Sequence, residues 1–358
     1  MEITARNTND LSPKVYALLD QHGTNESSRN GTVLRFDGPV TICLTHPWER
    51  VNMCPIRDAN PFFHVLESVA MLANWNSVRF MEFFAKNMAE YSDDGRTYNA
   101  FYGSRARSTF SLDQLTAVVD TLRRDPTSRQ AVISLWEPRD LIRSTKDKAC
   151  NLFLIFAVRG GVLEMTTFNR SNDAIWGGVS GANVVHLSFF HEYVACALGL
   201  PMGRWWHTSA NLHAYTGNPK LESLLLDGRF CHASPATAWY PAGPTVPLFA
   251  EACEKDFDKY AMTLCQVIEF IIRTELSHAY AITRVNDAMR NCPLSQTFLH
   301  SVAVPMFLAW HARKTDGGNA TAMVPAHLNA IMDGAWHAAA LAWVARRAPA
   351  AAPEVPHV

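Results

Sequence analysis

The stretch TTFNRSNDAIWGGVSGANVVHL, residues 166–187, constrains the fold more than any other part of this chain. It sets arginine, asparagine, serine and aspartate among glycines, yet its flanks, LFLIFAV and VVHLSFF, have the composition of a protein interior. Polar groups beside a core need partners, because burying them unpaired costs on the order of 2–7 kcal/mol. The chain must fold so that these side chains either satisfy one another or face a bound polar molecule.

At 358 residues the chain exceeds the usual domain length of about 100–200, which suggests one large domain with an appendage. Hydrophobic residues make up 48% and the formal net charge is −1, so a sizeable core is available and broad electrostatic binding to nucleic acid or acidic membranes is not expected. An anionic ligand has to be gripped by a few placed cations. Cys43, Cys54, Cys150, Cys196, Cys231, Cys253, Cys265 and Cys292 contain no CxxC pair and no ladder of spacings. That argues against a zinc site or a disulfide framework and for reduced thiols in a cytosol. MEITARNTND lacks the apolar run of a leader, and no apolar run reaches the ~18 residues of a membrane span, so a cytoplasmic chain is expected.

Periodicity predicts a mixture of elements. NGTVLRFDGPVTICL alternates around Gly and Pro as paired strands do, and from NPFFHVLESVAMLANW to about Met88 the apolar spacing becomes helical, starting at Asn60-Pro61. Leu112, Leu115, Val118, Val119 and Leu122 share one helical face, stopped by Pro126. QAVISLW, NLFLIFAVRGGVLEMTTF and RWWHTSANLHAY read as strands, the second folded into a hairpin at Arg159-Gly160-Gly161. NVVHLSFFHEYVACALGL is apolar nearly all round, as a buried helix capped by Asn183 or a neighbour would be. The expected organisation is a lightly docked N-terminus over 1–24, a main α+β domain over 25–235, a helical extension over 236–347 and a disordered tail over 348–358, with HASPATAWYPAGPTVP as the connection.

Several residues could carry chemistry. Cys150 lies between the charged loop RSTKDKA and an apolar strand. A lone cysteine is more often an inert buried hydrophobe, but the hairpin's return brings Arg170 towards it, and a guanidinium both lowers a thiol pKa and offers a fork for phosphate. Arg29 in SSRNGT and Arg129 in DPTSRQ occupy small-residue turns; each taken singly reads as a solvated charge. His213 and Tyr215 alternate on a strand and face one side, where they could grip a sugar hydroxyl or be ordinary half-buried residues. Glu67 is a carboxylate inside an apolar helix, which weighs towards function.

Taken in order, Arg29 in its glycine turn, Glu67, YNAFYG, DPTSRQAVISLW, Cys150, NRSND, Asn183 and HTSANLHAY resemble the thymidylate synthase and pyrimidine hydroxymethylase superfamily over residues 29–218. The resemblance implies a thymidylate synthase-like fold, a large bent mixed sheet with helices on one side, in a homodimer. It implies that Cys150 adds to C6 of a pyrimidine ring, so that C5 attacks the one-carbon unit of 5,10-methylenetetrahydrofolate. Arg29, Arg170 and Ser171 are then phosphate ligands, joined by Arg129 from the other subunit. Asn183 reads the base edge, Asp173 lies near that edge and the folate, and His213 and Tyr215 hold the ribose. Tyr102 stands near the thiol, and Glu67 manages water and proton transfer.

The departures from the family pattern are informative. Ala149 and Asn151 flank the nucleophile in place of Pro and His, Gln130 replaces a second arginine, and AIWGGVSGAN carries about two extra residues before Asn183. Met88 and Tyr91 stand where synthases have tryptophans that, with folate, shield the ring's exocyclic methylene from water. A helical extension and a Pro/Ala tail replace the short closing C-terminus. The last two differences favour capture by water and a 5-hydroxymethyl product, on dUMP from the amide of Asn183, with dCMP or CMP as other substrates. The alternatives are a thymidylate synthase, and a non-catalytic family member that binds nucleotide or RNA.

Overall fold

The computed structural model describes residues 1–227, 246–315 and 323–347. Cys231, nearly all of the expected connection at 232–247 and the expected tail at 348–358 lie outside the described residues. Ten strands are present among the described residues: β1 Glu2–Ala5, β2 Thr24–Ser28, β3 Gly31–Arg35, β4 Val40–Leu44, β5 Val132–Ser134, β6 Asn151–Arg159, β7 Val162–Asn169, β8 Asn172–Asp173, β9 Met202–Ser209 and β10 Leu212–Tyr215. They form a six-stranded sheet in the order β1-β4-β9-β7-β6-β5 and a four-stranded sheet in the order β2-β3-β10-β8. The larger sheet is mixed: β1 runs parallel to β4 and β7 parallel to β9, while the other pairs are antiparallel.

The β6–β7 hairpin turns at Gly160 and Gly161, with φ of +57° and +80°. Positive φ at both central positions gives the turn whose twist matches the strands, and only glycine adopts it freely. Alternation then sends Leu154, Phe156, Leu163, Met165 and Trp205 to a buried face, while Phe153 and Phe168 stay 38% exposed on the other. The helix Ala182–Leu198 covers the buried face, and His191 Nε2 lies 2.7 Å from the Leu163 carbonyl. Its other sides meet the helices Pro61–Leu72 and Glu254–Thr274, which explains its all-round apolar sequence.

The extension shares this core. Phe62 packs against Trp310 and Trp343 at ring-centroid distances of 5.4 and 5.6 Å, and Trp310 Nε1 donates to the Phe83 carbonyl at 3.0 Å. Arg107 pairs with Asp258 at 2.6 Å, and Trp75 Nε1 donates to Glu269 at 2.8 Å. Each large apolar side chain fully buried in such contacts contributes about 1.5–3 kcal/mol. Among the described residues no helix is long and apolar enough to cross a membrane.

Several expectations need correction. NGTVLRFDGPVTICL does give two strands, but β3 and β4 enter different sheets rather than pairing with each other. RWWHTSANLHAY is likewise split, which places His213 and Tyr215 in the small sheet. The long helix through Met88 breaks at Asn74, which takes φ +55°, and restarts at Val78 behind the cap Ser77. Leu112 precedes its helix and is 55% exposed, since Asp113 is the cap. The buried helix is capped by Gly181, not Asn183.

The N-terminus is not frayed. β1 extends the large sheet, and Leu11, Val15 and Leu19 of the helix Thr8–His22 are wholly buried. Asn7, itself 0% exposed, caps that helix by accepting from Asn9 N and Asp10 N at 3.0 Å each, and it donates to Glu49 at 2.6 Å. Polar residues hid this segment, because hydrogen bonds to distant residues anchor it alongside the buried face of its helix. Asn7→Ala is expected to lower stability in urea titration by about 1–2 kcal/mol, the cost of a lost cap. Wild-type stability in that variant would mean a frayed segment.

Candidate active site

Tyr102 begins the short helix Tyr102–Arg107, and its hydroxyl accepts hydrogen bonds from the amides of both Cys150 and Asn151 at 3.2 Å. This fixes Cys150 at the start of β6. The ladder with β7 continues one step further, Arg170 N donating to Cys150 O at 3.0 Å, so the guanidinium folds back over the thiol. Arg170 Nη2 lies 3.6 Å from Cys150 Sγ and 3.2 Å from Lys148 O, while Nε donates to Ala149 O at 2.8 Å. The sequence places this pair together, but the net electrostatics differ from expectation. Burial pushes the thiol up, as do Asp147 and Asp173, and the opposing pulls of Arg170 and Arg29 only reduce that rise.

The other sequence-derived residues surround this pair unevenly. Arg29 is exposed in the tight turn between β2 and β3, yet its charge is felt at the thiol. Arg129 is exposed in the loop before β5, the edge of the large sheet. Asp173 pairs in register with His213 across β8 and β10, and His213 meets Tyr215 edge-on with centroids 5.3 Å apart. Asp173 accepts from Ile175 N at 2.7 Å and Trp176 N at 3.2 Å, and burial nevertheless pushes its carboxyl up.

Beside Tyr102 opens a cavity of about 710 Å³. Glu67, Tyr102, Asn183, Met88 and Tyr91 line it; Cys150, Arg170, Ser171, Asp173, His213 and Tyr215 do not, and the Cys150 backbone is tied to its wall by the amide hydrogen bond to Tyr102. Glu67 is 5% exposed, and its Oε2 has no hydrogen-bond partner among the described residues. His186 Nδ1 stands 3.5 Å from that oxygen. Phe63, Trp176 and Trp343 give the cavity aromatic surface, and Arg57, Lys220 and Arg347 make its rim cationic. Lys220 Nζ donates to Arg57 O at 2.9 Å, and Arg57 stacks on Trp176 at 4.3 Å.

The stretch at 166–187 is largely satisfied within the chain, contrary to the expectation that a ligand completes all of it. Asn169 donates to Asn151 and meets His207. Asn172 donates to Ser209 Oγ at 3.0 Å and accepts from Gly178 N at 2.8 Å, and Ser180 meets Tyr16 at 2.6 Å. Its glycines allow this tight wrapping: a Cβ on Gly178 would fall 2.1 Å from His207, and one on Gly181 1.9 Å from the Trp176 backbone. The side chains of Ser171 and Asn183 keep no hydrogen bond among the described residues.

Sequence reading missed His186, Tyr98, Asp147, Arg57, Lys220 and Arg347. His186 was discoverable, because it follows Asn183 by one helical turn and so shares its face, and a histidine in an apolar helix needs a reason. Arg347 follows a helix more than 120 residues beyond Lys220, the last wall residue outside that segment, and no local pattern announces that.

A family model described as thymidylate synthase matches residues 62–233. The chain is 44% identical over 215 residues to the deoxyuridylate hydroxymethyltransferase of Pseudomonas phage M6, covering 60% of this chain and 61% of that protein. It is 39% identical to the deoxyuridylate hydroxymethyltransferase of Bacillus phage SP01, covering 49% of each. A Methanosarcina acetivorans protein provisionally named thymidylate synthase is 32% identical over 60% of this chain and 88% of its own length. The chain thus spans 61% and 49% of the length of these two phage proteins. Among solved structures, phage T4 thymidylate synthase aligns with a TM-score of 0.50 at 17% identity, over 62% of this chain and 80% of the other, a likeness of fold.

Because burial raises the Cys150 thiol and Arg170 opposes it, alkylation of Cys150 by iodoacetamide, read by peptide mass spectrometry, should accelerate as pH rises through and beyond the ordinary thiol range. Arg170→Gln should move that rise to higher pH. An unchanged profile would show that the guanidinium does not act on the sulfur.

Proposed function

The chain belongs to the thymidylate synthase family, and from that premise we propose that it installs a 5-hydroxymethyl group on a pyrimidine nucleoside 5′-monophosphate, with dUMP favoured and dCMP or CMP as further substrates. The observation that carries this reading is the Cys150 thiol held under Arg170, on a backbone that Tyr102 fastens to the wall of a cavity containing the buried carboxylate of Glu67. The names of the two phage relatives agree with it.

In this reading Cys150 bonds to ring C6 while its proton leaves, which makes C5 nucleophilic. Arg170, Arg29 and Ser171 take the phosphate, and His213 with Tyr215 takes the ribose hydroxyl. Asn183, free of side-chain partners, presents a donor and an acceptor to the base edge, which suits uracil. The donor is 5,10-methylenetetrahydrofolate, which when bound supplies a one-carbon unit at the oxidation level of formaldehyde. The cavity fits it: the aromatic and thioether surfaces of Met88, Tyr91 and Trp176 suit a flat heterocycle, the unpartnered Glu67 suits a polar ring edge, and Arg57 and Lys220 suit carboxylates. Asp173 holds the loop that carries Trp176. Met88 and Tyr91 in the wall, in place of tryptophans, leave the substrate's methylene open to water, which favours hydroxymethyl over methyl.

The exposed sheet face that carries Phe153 and Phe168 is the surface on which a second copy packs, and from there Arg129 reaches the partner's phosphate site.

Incubation with dUMP and methylenetetrahydrofolate should add the mass of a hydroxymethyl group without forming dihydrofolate. A methyl product with dihydrofolate would establish the synthase instead, and product from dCMP or CMP alone would reassign the base. Mixing Cys150→Ala with Arg129→Gln subunits should restore about a quarter of wild-type turnover, since half of the dimers then carry one intact site. No recovery would reject the shared site.

A further inference from the structure

We propose that His186 is a second proton-handling residue of this site, which together with Glu67 holds and deprotonates the water that ends the reaction. This rests on the hydroxymethylase reading above. His186 is 3% exposed, and neither of its ring nitrogens has a hydrogen-bond partner among the described residues. Leaving a buried polar group unpaired is costly. An ordinary structural histidine pairs at least one ring nitrogen, as His191 does through Nε2 with the Leu163 carbonyl. His186 instead lines the cavity, one turn after Asn183, with Nδ1 3.5 Å from the equally unpartnered Glu67 Oε2.

The separation decides the role. The two groups lack the geometry of a direct hydrogen bond, yet both point into one space, the arrangement that lets one water bridge them. The ring stands edge-on to Tyr102 with centroids 5.5 Å apart, so the residue that positions the Cys150 backbone also orients the imidazole. Tyr98, whose hydroxyl is buried and without a partner among the described residues, faces the same cavity. His64, Asp147 and Tyr91 are the other titratable groups of the wall, and the charged Arg57, Asp58, Lys220 and Arg347 also line the cavity. Glu67 alone would have to bind the water and accept its proton. An imidazole beside it divides these tasks, one group orienting the oxygen while the other takes the proton.

The step balances without an oxidant or reductant. The water oxygen bonds to the exocyclic methylene carbon on C5, and the water's proton passes to the Glu67–His186 pair. The electron pair of the exocyclic double bond moves onto the ring and re-forms C5=C6 as the bond from C6 to Cys150 breaks, which releases the thiolate.

The test compares the full-length wild type, His186→Gln and His186→Asn with dUMP and methylenetetrahydrofolate, with 2-mercaptoethanol added as a competing nucleophile, and measures dUMP binding separately by calorimetry without folate. Both variants should form the hydroxymethyl product about a hundredfold more slowly, within the range of a lost general base. Their share of thioether product should rise, because a thiol needs no such base, while the dUMP dissociation constant stays within about threefold. Half or more of wild-type turnover in His186→Gln would overturn the proposal, since glutamine keeps a hydrogen bond but cannot take the proton. Loss of both products in equal proportion would also overturn it, by showing a structural role. Failure of the wild type to make any hydroxymethyl product would remove the functional reading along with this one, a result distinct from a normal wild type with indifferent variants.

Discussion

The site depends on one buried hydroxyl. Tyr102 accepts from the amides of Cys150 and Asn151, two donors at the start of β6 that would otherwise be desolvated without a partner. Gly103, next in the chain, lies so close to the helix Pro61–Leu72 that a Cβ would fall 2.3 Å from the Met71 carbonyl. The helix that carries Glu67 and the strand that begins beside Cys150 are therefore locked to one another through two neighbouring residues. A carboxylate and a thiol far apart in sequence acquire a fixed relation in space, which is what chemistry on two faces of one small ring requires.

The electrostatics of that arrangement work against the thiolate. Burial raises the Cys150 thiol, Asp147 and Asp173 add to this, and Arg170 with Arg29 gives back only part. A guanidinium 3.6 Å from sulfur is close enough to matter, but it also serves the carbonyls of Lys148 and Ala149, so its charge is shared. The consequence is a thiol mostly protonated at neutral pH, which in the proposed reaction gives up its proton as the ring is attacked. Such a site favours reaction within a bound complex over indiscriminate modification of the free protein.

The sequence revealed the chemistry more fully than the architecture. The β6–β7 hairpin, the amphipathic face of Leu115, Val118, Val119 and Leu122, and the juxtaposition of Cys150 with Arg170 follow from local rules of turn type and period, and all are present. The division of the strands into two sheets is not local, because β3 and β4 alternate alike and only distant partners separate them. The N-terminal segment misled for a related reason: Asn7 and Glu49 anchor it through hydrogen bonds that span more than forty residues. Within the site, residues on familiar motifs were legible. His186 was missed although its place one turn after Asn183 offered a signal, because an all-apolar helix gives no contrast to mark the face that meets a cavity.

The helical extension is a working part of the cavity and not an attachment to it. Trp343 supplies wall, and the chain just after its helix delivers Arg346 and Arg347 to Asp58 on the rim, with Arg346 3.0 Å from the carboxylate. Burial would raise the Asp58 carboxyl, but the two guanidiniums outweigh it and hold it low, so the pairs are formed at neutral pH. Ion pairs this exposed stabilise by about 1 kcal/mol or less, too little to dock a helix. The packing of Trp343 and Trp310 on Phe62 does that, and the ion pairs then set what the rim presents. Arg346 and Arg347 take the Asp58 carboxylate while Arg57 and Lys220 line the same cavity without bonding it, so the mouth keeps an excess of positive charge around an aromatic interior. A ligand that inserts a flat ring and leaves anionic groups at the surface meets complementary chemistry at both ends, and the outer end of that match is built by a segment nearly three hundred residues from the loop it faces.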